Sequence, residues 1–142
     1  MEQSEKEFRI MGIDYGEKRI GIALSDPLLT FAYPFTTLQN DHDLLTNLSK
    51  IIIEKKIKKI ILGLPSERFA SSNRLADKVK KLKNEIETNN KIQVVLWDEE
   101  YSSAIAKEKI VESVSKKSKR KSKELLDQHS AALILQEFLD SK

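Results

Sequence analysis

Cysteine is absent from the chain, which excludes disulfide frameworks, thiolate zinc sites, iron–sulfur clusters and cysteine nucleophiles. The two histidines, His42 and His129, are too few for a histidine-rich metal centre. Only four glycines and three prolines occur in 142 residues, and 39% of positions are hydrophobic, a composition that folds rather than stays disordered. No apolar run approaches the roughly 20 residues that span a bilayer. The opening residues MEQSEKEF contain no apolar stretch of the kind a secretory signal needs. These absences predict a cytoplasmic protein with no membrane partner. Its length suits one domain over residues 1–142, large enough to bury a sizeable core.

Charge is present in quantity but unevenly placed. The net charge is +3, yet segment 115–123, SKKSKRKSK, carries six basic residues and no acid, leaving the remainder of the chain at −3. A short run of serine and lysine between two helical patterns reads as a surface loop. Its one-signed charge predicts an anionic partner, and the bland alternative is a solvated spacer between helices.

Hydrophobic spacing organises the rest. Residues 8–14 and 19–25 are short apolar strand patterns separated by a turn containing Gly16, and a third strand is expected from about Thr30 to Leu38. The period then changes: Leu44, Leu45, Leu48, Ile51 and Ile52 form a helical stripe after a cap at Asn40 or Asp41. A buried-strand signal at 59–64 ends before Pro65, and a helix carrying Leu75, Val79, Leu82 and Ile86 follows. Residues 92–97 read as a fifth strand, with a helix expected after Ser102 or Ser103 and a last helix over 123–139. The order β-β-β-α-β-α-β-α-α predicts an α/β fold. Its sheet would be five-stranded and mixed, an antiparallel meander joined to parallel strands, because right-handed crossovers set the first, fourth and fifth strands parallel.

In open α/β sheets, ligands gather at the carboxyl ends of the parallel strands. Asp14 ends the first strand there, and Asp98 and Glu99 end the fifth. Asp127 comes from the last helix, on the stripe that also holds Ser130, Ala131, Ile134, Leu135 and Phe138. An acid on a core-facing stripe is costly unless paired. Carboxylates gathered at one sheet end repel one another, and a divalent cation relieves that repulsion. Oxygen donors without cysteine or histidine favour Mg²⁺ or Mn²⁺, and such clusters support metal-assisted phosphodiester hydrolysis. Each acid also has a plain alternative. Asp14 reads equally as a turn residue, Asp98 and Glu99 as acids serving the next helix's N-terminus, and Asp127 as a first-turn acid of its own helix. Asp26, before Pro27, reads as a turn former, Glu67 is a rival ligand, and His129 points off the Asp127 face.

The motifs Ile13-Asp14-Tyr-Gly16-Glu-Lys18-Arg19-Ile20-Gly21, Ser25-Asp26-Pro27, Gly63-Leu64-Pro65, Leu96-Trp97-Asp98-Glu99 and Asp127-Gln128, with Ala131 to Gln136 behind them, occur in order over about residues 8–140. Together they resemble the YqgF family, also called RuvX or Holliday-junction-resolvase-like proteins and known as pre-16S rRNA nucleases. The resemblance implies a ribonuclease-H-like fold with helices on both faces of the sheet, and a metal-dependent endonuclease. It assigns Asp14, Glu99 and Asp127 as catalytic metal ligands, with Asp98 beside them. It also implies 5′-end maturation of 16S rRNA. Two departures stand out: Glu100 replaces an arginine common in the family, and the loop over 66–74 has no glycine.

The expected activity is therefore phosphodiester hydrolysis on nucleic acid, with pre-rRNA, including ribosome precursor particles, favoured over branched DNA. Lys18 and Arg19 beside the first turn are expected to contact phosphate, or to form an ordinary hairpin charge pair. In the basic segment, Lys116, Lys117, Lys119, Arg120, Lys121 and Lys123 would supply sequence-independent attraction. The protein is expected as a monomer or homodimer. Resolution of four-way DNA junctions and a catalytically silent RNA-binding scaffold are the alternatives.

Overall fold

The computed structural model describes residues 7–64, 72–98 and 119–141. Strands β1 (Arg9–Asp14), β2 (Arg19–Ser25) and β3 (Ala32–Gln39) form the meander, and helix α1 (Leu44–Glu54) leads to β4 (Ile57–Leu64). Helix α2 (Ser72–Asn90), strand β5 (Gln93–Asp98) and helix α3 (Lys119–Asp140) complete the order. The sheet runs β3-β2-β1-β4-β5. β1 is antiparallel to β2 and β2 to β3, whereas β4 is parallel to both β1 and β5. This is the mixed five-stranded sheet expected from the sequence. The ends of β1, β4 and β5 define one carboxyl edge.

Two faces, two cores and one helix define the positions that matter. Met11, Ile13, Ile20, Ile22, Ile60 and Leu62 pack with the α1 and α2 stripes on one face. Ile10, Ala23 and Ile61 pack with Ala131, Ile134, Leu135 and Leu139 of α3 on the other. β1 reads as a nearly unbroken apolar run because it is covered on both faces. Edge strand β3, by contrast, alternates half-buried and exposed positions over its first four residues.

Two glycines let α3 lie close to the sheet. A Cβ at Gly12 would come within 2.8 Å of the Ala131 carbonyl oxygen and Leu135 Cβ, and one at Gly21 would run into the Asp127 carbonyl. Side-chain contacts then fix the helix against β3: the Ala32 N–H donates to Gln136 Oε1 at 2.8 Å, and Gln128 Nε2 donates to Thr37 Oγ1 at 3.1 Å. At the opposite sheet edge, Trp97 Nε1 donates to Glu137 Oε2 at 3.0 Å, and its ring meets Phe138 edge-on at 5.7 Å.

Local boundaries differ from the sequence expectation in two places. α1 begins at Leu44 with Asp43 as its cap residue, while Asp41 accepts the Asp43 N–H at 3.0 Å and shapes the turn before it. The basic tract is not a loop along its whole length: Lys119 to Lys123 are already helical in α3. Lysine and arginine extend a helix nearly as well as leucine, so charge of one sign does not end one. The helix expected after Ser102 or Ser103, together with Lys116, Lys117, Glu67 and Glu99, lies outside the described residues.

Candidate functional site

Asp14 is the last residue of β1 and only 4% exposed. Its register partner on β2 is Gly21, the residue on which the Asp127 backbone rests. The missing side chain at Gly21 therefore brings Asp127 of α3 down beside the end of β1. Strand alternation puts Gly12 and Asp14 on one face, the face covered by α3. Two acidic residues far apart in sequence are thereby brought to one corner of the carboxyl edge, Asp127 through its backbone against Gly21.

Asp127 does not sit in the first turn of its helix. α3 begins at Lys119, so at about 3.6 residues per turn Asp127 falls in the third. Its Oδ2 accepts a hydrogen bond from Arg19 Nε at 3.0 Å, with the two side chains 18% and 27% exposed. Arg19 opens β2 on the same face as Gly21 and Ala23, which aims its guanidinium at the helix. Neither sequence expectation for Arg19, a phosphate contact or a hairpin charge pair, includes this partner. The usable signal was the acid itself, because a carboxylate on a core-facing stripe requires a partner.

Asp98 is placed differently. It pairs in register with Leu64, and its neighbours Val95 and Trp97 pack toward α3, so alternation turns Asp98 to the α1/α2 side, where it is exposed. Among the described residues no group of three histidine, cysteine or acidic side chains is gathered as a metal cage. The pair Asp14 and Asp127 supplies hard oxygen donors at a sheet edge, a donor chemistry that suits Mg²⁺ or Mn²⁺.

The turn joining β1 to β2 is held from both sides. Asn40 Nδ2 donates to the Gly16 carbonyl at 2.9 Å, and the Asn40 N–H to that of Lys18 at 3.0 Å. Glu17 accepts from Lys78 Nζ at 2.8 Å and Arg74 at 3.1 Å, and these α2 cations hold its carboxyl below the usual range. Lys18 projects into solvent at the tip. A cavity of about 360 Å³ opens next to this turn on the α1/α2 side, lined by Tyr15, Asn40, His42, Lys78 and Lys81 among others. Of the basic tract, Lys123 is exposed on α3, and Lys119, Arg120 and Lys121 are placed by their helical backbone. Asp26 is a turn former: its Oδ1 accepts the N–H groups of Thr30 and Phe31, both at 2.7 Å.

Residues 8–141 match the family model described as "RuvX: Holliday junction resolvase". The chain belongs to the RuvX family. A RuvX-family relative from Ehrlichia chaffeensis, named "Putative pre-16S rRNA nuclease", is 38% identical over 138 residues, covering 96% of this chain and 87% of its own. One of the same name from Caldicellulosiruptor saccharolyticus is 36% identical and covers 93% of this chain and 96% of its own. Among solved structures, Thermus thermophilus RuvC in complex with a Holliday junction substrate aligns with a TM-score of 0.55 at 12% identity, covering 94% of each chain. The fowlpox virus resolvase complexed with Holliday junction DNA gives 0.54 at 15% identity, covering 94% of this chain and 98% of its own. At those identities the likeness is one of fold alone, and it agrees with the ribonuclease-H-like fold expected from the sequence.

Proposed function

We propose that this RuvX-family protein is a cytoplasmic, divalent-metal-dependent endonuclease that hydrolyses a phosphodiester bond in structured RNA, with precursor 16S rRNA as its substrate. The observation that carries the reading is the seating of Asp127 on Gly21, which puts it next to Asp14 at the carboxyl edge of the parallel strands. The name shared by the relatives from Ehrlichia chaffeensis and Caldicellulosiruptor saccharolyticus supports precursor 16S rRNA as the substrate.

Asp14 and Asp127 are the residues that would hold the metal. Glu99, following the outward-turned Asp98 in sequence, is the third ligand in this reading. Asp98 itself, exposed on the other side of the sheet, is at most an outer contact. When bound, Mg²⁺ or Mn²⁺ lowers the pKa of a coordinated water and offsets charge on the leaving oxygen. Asp14, fixed on a strand and buried, holds its carboxylate rigidly. Arg19 keeps Asp127 oriented through one oxygen, so that helix and strand present their acids in a fixed relation. We assign Lys18 and the cations of α3 to the flanking phosphates.

The experiment is cleavage of a 5′-extended 16S precursor beside a four-way DNA junction, each in Mn²⁺ and in EDTA. Metal-dependent cutting of the RNA supports this reading. Preferential junction cutting replaces it with resolvase activity, and binding without cutting replaces it with a scaffold.

A further inference from the structure

A second basic tract lies at the opposite end of the sheet. Lys55, Lys56, Lys58 and Lys59 surround Ile57 at the start of β4, four lysines in five positions. Beside them the chain exposes aromatic rings that a core would normally hide. Phe31 is 67% exposed, Tyr33 38% and Phe35 36%. Tyr33 pairs with Leu24, a residue of the α1/α2 core, so its ring lies on that side of edge strand β3. Phe35 falls at a register shift between β2 and β3, and Lys55 Nζ stands 5.4 Å from its ring centre. Lys58 Nζ stands 4.9 Å from the Phe8 ring. Arg9 donates to the Tyr33 hydroxyl at 2.9 Å, fixing one ring from the β1 side.

The surface is not built for strand addition. Pro34 offers no N–H between Tyr33 and Phe35, and the register shift distorts the ladder, two devices that block edge pairing. Nor does it suit a second copy of the chain, which would bring the same excess of cations to the contact. Aromatic faces interleaved with lysine and arginine suit unpaired bases and their phosphates: bases stack on the rings, and cations follow the backbone. In a duplex the base faces are already stacked and unavailable. Glu7 and Glu54 are exposed at the same end, and the cations Arg9, Lys55, Lys56 and Lys58 outnumber them.

We infer that the end of the sheet formed by Phe31, Tyr33, Phe35, Lys55, Lys56 and Lys58 is a binding surface for single-stranded nucleic acid, distinct from the acidic corner; Lys59 turns instead to the Phe138 ring of α3 at 5.6 Å. β1 separates the two, the five steps between its six residues covering about 17 Å at roughly 3.3 Å each. The surface therefore anchors an unpaired flank of a substrate away from the reacting phosphate. The inference rests on the nuclease reading only for the relevance of its ligand, and binding is measured with cleavage switched off.

The test uses full-length protein in EDTA and a fluorescein-labelled 12-nucleotide oligouridine, read by anisotropy, with a 12-base-pair RNA duplex in parallel. Phe31→Ala/Phe35→Ala is expected to weaken oligouridine binding by about tenfold or more, at roughly 1–3 kcal/mol per stacked base, and to leave duplex binding within twofold. Phe31→Leu/Phe35→Leu, which keeps the surface apolar but removes the rings, is expected to behave like the alanine pair. Lys55→Gln/Lys58→Gln is expected to lower the salt slope by about 1.4, roughly 0.7 per lost phosphate contact. Unchanged oligouridine affinity in correctly folded aromatic variants overturns the inference, and so does equal loss on the duplex. Sedimentation showing that wild type self-associates through Phe31 and Phe35 overturns it in favour of a second copy. Because no step requires turnover, a chain that binds here yet cuts nothing refutes the nuclease reading alone.

Discussion

Arg19 Nε donates to Asp127 Oδ2 at 3.0 Å, a contact that joins the first residue of β2 to the third turn of α3 across 108 positions of sequence. Both side chains are mostly shielded from solvent, so neither charge is replaceable without consequence. Removing Arg19 takes a charge-assisted hydrogen bond from Asp127 in a partly desolvated place, at a cost of about 1–3 kcal/mol. Arg19→Met is expected to lower the melting temperature by several degrees. In a double-mutant cycle with Asp127→Asn, a coupling energy of about 1–2 kcal/mol is expected. Calorimetry of the four proteins measures it, and additive losses would show that the pair contributes nothing beyond its members.

Gly21 is the floor on which Asp127 stands. A methyl group there meets the Asp127 carbonyl, backbone rather than a flexible side-chain end, so Gly21→Ala must lift the helix or distort β2. Overpacking of this kind costs about 1–3 kcal/mol. Nuclease turnover is expected to fall further than stability alone explains, because the displaced atoms belong to the residue beside Asp14. A Gly21→Ala protein that stays folded and retains wild-type turnover would separate Asp127 placement from activity.

Acid sensitivity follows from carboxylates held in their charged form. Glu87 accepts from Lys83 Nζ at 2.9 Å and from the Val94 N–H at 3.1 Å, and the Lys83 bond first, then the Val94 amide, pulls its pKa down. Asp26 is lowered by the amide of Phe31 and then that of Thr30, and Glu17 by Lys78 and then Arg74. Each folded pKa lies below its unfolded value, so the stabilisation is complete above the unfolded pKa, near 4–4.5. It is lost as pH falls through the folded one. Melting temperature should decline below about pH 4.5. Glu87→Gln should flatten part of that decline while changing little at pH 7 beyond the loss of charge; an unaltered acid limb would remove Glu87 from the account.

Lys91 follows α2 with φ of 53°, in the left-handed region where a side chain is strained and glycine is not. It is exposed, and its N–H closes on the Glu87 carbonyl at 3.0 Å, a bond that glycine keeps. Lys91→Gly is expected to stabilise the protein by about 0.5–1 kcal/mol, with turnover unchanged. Denaturant titration measures the gain.

Much of the fold was legible because long apolar runs can be buried in few ways. The runs at 8–14, 59–64 and 92–97, separated by helical stripes, dictated a parallel set joined to a meander. Asp14 and Asp127 were legible as candidates from position alone, one at a strand end and one on a core-facing stripe. Their gathering at one sheet end was an expectation too, but the close seating of Asp127 was not legible, since it depends on the absence of a side chain at Gly21, and a small residue in a strand carries no directional signal. Arg19 looked like a surface cation because its partner lies more than a hundred residues away. The start of α3 was misread because a one-signed run resembles a loop even where its residues are good helix formers. The Lys55 to Lys59 tract escaped notice because acids elsewhere cancel it in the net charge, and only the folded edge strand sets aromatic rings beside it.

Asp14 and Asp127 are proposed to act as one metal-binding unit. The most direct measurement is the rate of Mn²⁺-dependent cleavage of the 5′-extended 16S precursor by wild type, Asp14→Asn, Asp127→Asn and the double variant, with folding checked by circular dichroism. Each single change should reduce the rate by a factor on the order of 10²–10³ or more, and the double variant should lose little beyond the worse single one, as members of one catalytic unit do. Wild-type rates in either folded single variant, or losses that simply multiply, would contradict it.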